Sequence, residues 1–367
     1  MNIYEKIGLQ RVVNASGRMT YLGVSTISDY VAEQSIQGGQ NYVIIIYLID
    51  RAGELISQHT GGEDSCPTCS ASAGIAIAIA GLISKGKKSI VDRLPDSTGL
   101  ANEVIIQKGH VVNYGGPMTT MMRLGGGVPV EVGMANLVDP AEIEEAITDK
   151  TVCLFYVKSH HCVQKGMVSL EDMIEIAHRH NLPLVIDAAA EEDFRKYVAL
   201  GCDLVVYSGA KALESTTSGI IKGKKELIAY CKKQYEGVGR AMKVGKEQIM
   251  GLIAALDQYD KRDHEKEAAA NYARVEKLND EINKIKYCHA TLHQDEAGRK
   301  IYRSFVTFDP ECGKTAKQIS DELKAGNPSV HCRPNQLNLG IMMFDPRPLV
   351  EGDDEIIVQR LKEVVEG

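Results

Sequence analysis

Lys211 closes the run Asp203-Leu-Val-Val-Tyr-Ser-Gly-Ala-Lys211, an apolar β-type stretch that breaks at Ser208-Gly209. A second apolar run, Leu184-Val-Ile-Asp187, ends on a carboxylate. Each polar group stands where a buried strand stops, and in α/β sheets ligands bind beyond the carboxyl ends of strands. An acid at one strand end and a lysine just past the next suit pyridoxal phosphate (PLP). The lysine condenses with the aldehyde as a Schiff base, and the acid keeps the pyridine nitrogen protonated. Taken singly, Asp187 reads as a helix N-cap and Lys211 as a surface lysine; the pairing carries the chemistry.

Thr68-Cys-Ser-Ala-Ser-Ala-Gly74 opens an Ala/Ile/Gly-rich helical stretch over residues 71–83. Small residues at a helix start leave backbone N–H groups bare, and with the helix dipole these hold a phosphate. Ser70, Ala71 and Ser72 are therefore expected to bind the cofactor, with Ser208 reaching the same phosphate. Thr216, Thr217 and Ser218 form a polar loop that could add to it. Cys66-Pro-Thr-Cys69 fits C-x-x-C, but no second such pair exists in the chain, and it reads as two incidental cysteines.

His110 follows a candidate strand and could stack on the cofactor ring; an exposed loop histidine is the equal alternative. His160 and His161 lie past another strand end, where contact with cofactor or substrate is favoured over metal, because no spacing supports a metal site. No metal is expected. Arg240 and Lys243 sit in a Gly-flanked basic run suited to an oxyanion. Arg333 and Arg347 either could grip a substrate carboxylate, and the sequence leaves that choice open.

Positioning these groups takes a layered α/β domain. Residues 61–250 alternate short apolar runs with amphipathic stretches, the signature of a mostly parallel sheet. Candidate strands cover 89–91, 104–106, 128–132, 152–157, 184–186, 204–207 and 219–221. Asp139-Pro140 and Ser169-Leu-Glu-Asp172 are helix starts. Residues 1–60 read as a lead-in, with a turn at Asn14-Ala-Ser-Gly17 and helix from 29 to 58. Residues 251–367 read as a small α+β domain: a long helix from 248 toward 285, a strand over 302–308, helix at 321–324, a strand-like stretch at 336–343 and a final helix over 354–365.

The 367 residues are 44% hydrophobic, enough for a sizeable core. A net charge of −7 argues against nucleic acid as a partner. No apolar stretch of about 18 residues occurs, so no membrane span is expected, and the N-terminus lacks a secretory h-region. Nine cysteines, an odd count without framework spacing, suit a reducing cytoplasm.

The chain resembles the fold-type-I PLP enzymes of the selenocysteine synthase-like branch. The resemblance rests on Asn14-Ala-Ser-Gly17, the Val111–Gly116 run, Val130-Glu-Val-Gly133, Asp187, Ser208-Gly-Ala-Lys211, Gly219-Ile-Ile-Lys-Gly-Lys-Lys-Glu and Arg240-Ala-Met-Lys243. Within the branch it is most similar to ammonia-lyases, through Asn14-Ala-Ser-Gly-Arg-Met-Thr20, Gly23-Val-Ser-Thr26 and the 66–74 and 208–219 segments. It departs from the selenocysteine synthases at its start, where the Asn14 motif begins almost at once, and in lacking their basic character; a tRNA substrate is not expected.

The resemblance implies a large domain with a seven-stranded, mostly parallel sheet, a smaller C-terminal domain, and at least a homodimer. It implies that Lys211 carries PLP, Asp187 pairs with its ring nitrogen, and Ser70 to Ser72 hold its phosphate. The implied activity is dehydration and deamination of a phosphorylated 2-amino-3-hydroxy sugar acid, D-glucosaminate 6-phosphate, to 2-keto-3-deoxy-6-phosphogluconate and ammonia. Lys211 or His110 would supply the general acid. Arg240, Lys243, Arg18 and Arg347 would bind substrate. The alternatives are transfer to an aminoacyl-tRNA, or another PLP reaction such as an aldolase or aminotransferase.

Overall fold

The computed structural model describes residues 2–159, 161–295 and 299–367. It divides into two compact units, one of Ile27–Lys261 and the other combining the chain up to Thr26 with Arg262–Gly367.

The strands are β1 (Val12–Ala15), β2 (Asp64–Thr68), β3 (Glu103–Gln107), β4 (Val128–Val132), β5 (Thr151–Val157), β6 (Leu184–Asp187), β7 (Leu204–Ser208), β8 (Gly219–Gly223), β9 (Cys288–Gln294), β10 (Tyr302–Phe308), β11 (Ser329–Cys332) and β12 (Met342–Phe344). In the first unit seven of them form one sheet in the order β2-β8-β7-β6-β5-β3-β4. The β4-β3-β5-β6-β7 pairs run parallel, and β8 runs antiparallel to both of its neighbours.

Helices cover both faces, as a parallel sheet requires. Successive strand residues therefore enter opposite cores: Leu154, Ile186 and Val205 on one face, Phe155, Val185 and Val206 on the other. The Ala71–Ser84 helix is buried from Ala73 onward, which explains its all-small, all-apolar composition. The expected caps form: Asp139 accepts from the Ala141 N–H at 2.8 Å, and Ser169 from the Asp172 N–H at 3.1 Å.

Several elements differ from expectation. Residues 89–91 are not a strand; Lys88–Val91 is a single helical turn. The seventh strand is β2, masked in the sequence by Pro67. It lies at the sheet edge, where a proline's missing N–H breaks no ladder. The long helix expected from 248 is two, Lys246–Tyr259 and His264–Ile282, the second capped by Asp263. Residues 336–343 hold a 3₁₀ turn, Leu337–Leu339, and only then β12.

The other unit has its own core, with Val13, Val306, Phe344 and Leu361 among its members. Its β12-β10-β9 sheet is antiparallel. β1 pairs in parallel with β11, so the chain start belongs with the C-terminal residues. The sequence partition at 60 and 250 therefore does not coincide with the contact division after Thr26 and Lys261.

Candidate active site

The site is assembled at the carboxyl ends of the central strands. Asp187 ends β6 opposite Val157 of β5 and Val206 of β7. It is 6% exposed, and Oδ1 accepts the Ala189 N–H at 2.9 Å. Burial pushes its pKa up, while that N–H and the charge of Lys211 pull it back down. Lys211 thus acts electrostatically on Asp187 from the turn after β7.

That turn is closed on itself. The Gly209 N–H donates to the Ser218 carbonyl at 2.9 Å, and the Ser215 N–H donates to Gly209 at 3.0 Å. The Ser218 hydroxyl donates to the Thr216 carbonyl at 2.9 Å. Its far end is Gly219, which pairs with both Ser208 and Thr68. A Cβ at Gly219 would stand 2.5 Å from the Ser70 carbonyl carbon and 2.6 Å from the Ala71 nitrogen. The lysine turn and the start of the Ala71–Ser84 helix therefore meet backbone to backbone. Ser70 caps that helix, its hydroxyl accepting from Ala73 at 3.1 Å, and the Thr68 hydroxyl donates to the Ser70 carbonyl at 2.8 Å.

His110 is not a loop residue open to a ligand. It is 0% exposed, its ring is edge-on to Tyr156 at 4.4 Å, and Nδ1 accepts the Val157 N–H at 3.3 Å. That bond puts the ring proton on Nε2, which has no hydrogen-bond partner among the described residues. Burial drives its pKa down to about 4, opposed by the backbone at Val163 and aided by Lys158. The flat group facing the site is one the sequence did not single out. Tyr114 is half-buried, with its hydroxyl fully enclosed and unpaired among the described residues. Burial and the Asp187 carboxylate push its pKa up to about 12, with the Ser72 hydroxyl opposing. Tyr114 thus stands between the helix start and the acid.

The L-seryl-tRNA selenium transferase (SelA) family matches residues 12–298. The chain belongs to this family. It is 46% identical over 366 residues to D-glucosaminate-6-phosphate ammonia lyase of Salmonella typhimurium, covering 100% of this chain and 98% of that one. A solved structure of D-glucosaminate-6-phosphate ammonia-lyase superimposes with a TM-score of 0.94 at 46% identity, covering 100% and 98% of the two chains. The chain is also 40% identical to 5'-C-glycyluridine monooxygenase-decarboxylase of a Streptomyces species, over 99% of this chain and 92% of that one. The fold is that of the fold-type-I PLP enzymes, and PLP is the cofactor of this SelA-family chain.

The site residues fit that cofactor. They are a buried acid, a lysine one strand away that acts on it, a capped helix start packed against Gly219, and an enclosed hydroxyl beside Ser72 and Asp187. Cys66-Pro-Thr-Cys69 is not arranged as a redox pair. Cys66 packs into the core on one sheet face and Cys69 against the core on the other. Burial pushes the Cys66 thiol up to about 12.

His160 falls outside the described residues. Arg240 is exposed on the 3₁₀ turn Val238–Met242, which packs on the Ala71–Ser84 helix, and Lys243 is exposed just after it. Arg18 and Arg347 belong to the other unit. There Asp345, 0% exposed, accepts from Arg347 Nε at 2.9 Å and Nη2 at 2.8 Å, and from Arg303 Nε at 3.0 Å. Burial pushes Asp345 up, but Arg347, Arg303 and Arg333 hold it far below the usual carboxylate range. Arg333 also donates to the Ser16 carbonyl at 3.2 Å, which ties the Asn14–Gly17 turn to this cluster.

Proposed function

We propose that the chain is a PLP-dependent ammonia-lyase acting on D-glucosaminate 6-phosphate, releasing ammonia and 2-keto-3-deoxy-6-phosphogluconate. The observation that carries this reading is the Lys211–Asp187 pair, with Gly219 bringing the lysine turn backbone to backbone against the start of the Ala71–Ser84 helix. The full-length likeness to an enzyme of that name supports the substrate.

Lys211 is assigned the cofactor aldehyde, Asp187 the ring nitrogen, and Ser70, Ala71, Ser72 and Ser208 the phosphate. PLP supplies an electron sink that makes the proton on the substrate's Cα removable. The Lys211 amine is assigned the removal of that proton. Asp187, in a low-dielectric pocket, holds the matching charge where it is worth most. His110 is buried and bonded to the Val157 N–H, so Lys211 is assigned as the acid that protonates the departing 3-hydroxyl. Arg240 and Lys243 are assigned the distal phosphate. Arg347, oriented by Asp345, and Arg18 are assigned the carboxylate.

All nine cysteines are free, which supports a reducing, cytoplasmic setting. No helix among the described residues is long and apolar enough to cross a membrane. A homodimer is supported by the run Tyr42–Tyr47, in which every residue is at least 46% exposed although all are apolar or aromatic.

The test is to incubate the purified chain with PLP and D-glucosaminate 6-phosphate and to assay ammonia, keto acid and oxygen uptake together. Equal ammonia and keto acid without oxygen uptake is expected. Oxygen consumption, or no keto acid, defeats the proposal.

A further inference from the structure

Tyr114 is presented by a tight turn. The antiparallel bridge between Asn113 and Pro117 closes it, Asn113 Oδ1 accepts the Gly115 N–H at 3.0 Å, and Gly115 adopts φ +109, a conformation that favours glycine. The turn leads into the Met118–Leu124 helix, which packs on the Ala71–Ser84 helix. Tyr114 and Ala71 press on the same side of the sheet core. The ring is therefore held at the start of the helix whose first turn is assigned the cofactor phosphate.

Its hydroxyl is enclosed yet makes no hydrogen bond of good geometry among the described residues. An enclosed, unpaired polar group is costly, and a native protein keeps one where something else satisfies it. The groups beside it are the Ser72 hydroxyl and the Asp187 carboxylate. Those two residues bracket the phosphate and ring-nitrogen ends of the proposed PLP site. A phenol there is a neutral donor, suited to a phosphate oxygen.

We infer that Tyr114 is a cofactor-holding residue whose hydroxyl donates to the phosphate of PLP. The inference rests on the PLP reading of the site. It differs from a structural role in one respect: the loss on removing the hydroxyl depends on the phosphate of the ligand.

The experiment strips PLP from the full chain and retitrates wild type and Tyr114→Phe with PLP and with pyridoxal, which lacks the phosphate. Tyr114→Phe is expected to weaken PLP about ten-fold or more while moving pyridoxal by less than about two-fold. The empty variant is expected to melt no lower than empty wild type, because an unpaired buried hydroxyl has been removed. Unchanged PLP affinity, or equal losses for PLP and pyridoxal, overturns the inference. Should Tyr114→Phe fail to fold, Tyr114→Leu and Tyr114→Met are titrated in the same way, and an unchanged PLP-to-pyridoxal ratio in both overturns it. A wild type that binds no PLP sinks the cofactor reading together with this one. A wild type that binds while the variant matches it sinks this one alone.

Discussion

Gly219 runs so close to Ser70 that a Cβ on it would lie 2.5 Å from the serine's carbonyl carbon. The contact joins two segments about 150 residues apart in sequence, the lysine turn and the helix start. Gly219→Ala must push them apart. Overpacking of this kind costs about 1–3 kcal/mol. Thermal unfolding should therefore shift down by several degrees, and PLP titration should show a weakened site. Unchanged melting and unchanged affinity together would show that the contact is not needed.

Lys211 and Asp187 divide the work. Lys211→Ala is expected to abolish turnover and the visible band of bound cofactor; a band that survives shows another amine carries PLP. Asp187→Ala is expected to keep some cofactor but to cut the rate by several decades, with weaker PLP binding. A rate within about ten-fold of wild type rules out the role given to Asp187.

How much of this was legible beforehand is decided by how local each signal is. Asp187 and Lys211 are readable because each closes a run of buried strand residues, and the caps at Asp139 and Ser169 are readable because capping involves neighbours in sequence. β2 was hidden because Pro67 is a strand breaker everywhere except at an edge, and edge position depends on the whole sheet order. The pairing of β1 with β11 spans over 300 residues and leaves no periodic trace. Tyr114 sits in Asn-Tyr-Gly-Gly-Pro, which reads as a plain turn. The choice between a stacking and an exposed His110 was open for the same reason: burial of a strand-end histidine is set by Tyr156 and Val157, which only the fold brings to it.

His110 gives stability a pH dependence of known sign. Its pKa falls from 6.5 in an ordinary setting to about 4 in the fold. The unfolded chain therefore binds the extra proton between those values. The stabilisation from the neutral ring is complete above the higher value and is lost as pH falls toward the lower one, about 3 kcal/mol over the window. Denaturant titrations of wild type and His110→Gln at several pH values should differ in slope there and converge in shape above it. Parallel curves throughout would mean that His110 titrates normally.

Arg240 is assigned the distal phosphate, which predicts a selective effect. Arg240→Ala should raise KM for phosphorylated substrate by about ten-fold or more, with little change for the dephospho analogue. An equal effect on both substrates means the guanidinium serves the fold or another part of the substrate.

The run Tyr42–Tyr47 is tested through mass. Tyr42 is 102% exposed, Ile44 60% and Tyr47 67%. Exposed apolar residues at successive positions cannot all face a core in one subunit, and patches of several hundred Å² on a soluble protein mark contacts. A second copy is the partner that every solution of the chain contains. Ile45 and Ile46 open the Ile45–Thr60 helix, so acids there are compatible with the helix dipole and leave the fold intact. Ile45→Glu with Ile46→Glu should shift sedimentation from dimer to monomer while the melting of secondary structure persists. A wild type that sediments as a monomer at assay concentration, or a variant that keeps the wild-type dimer mass, removes this surface from the assembly.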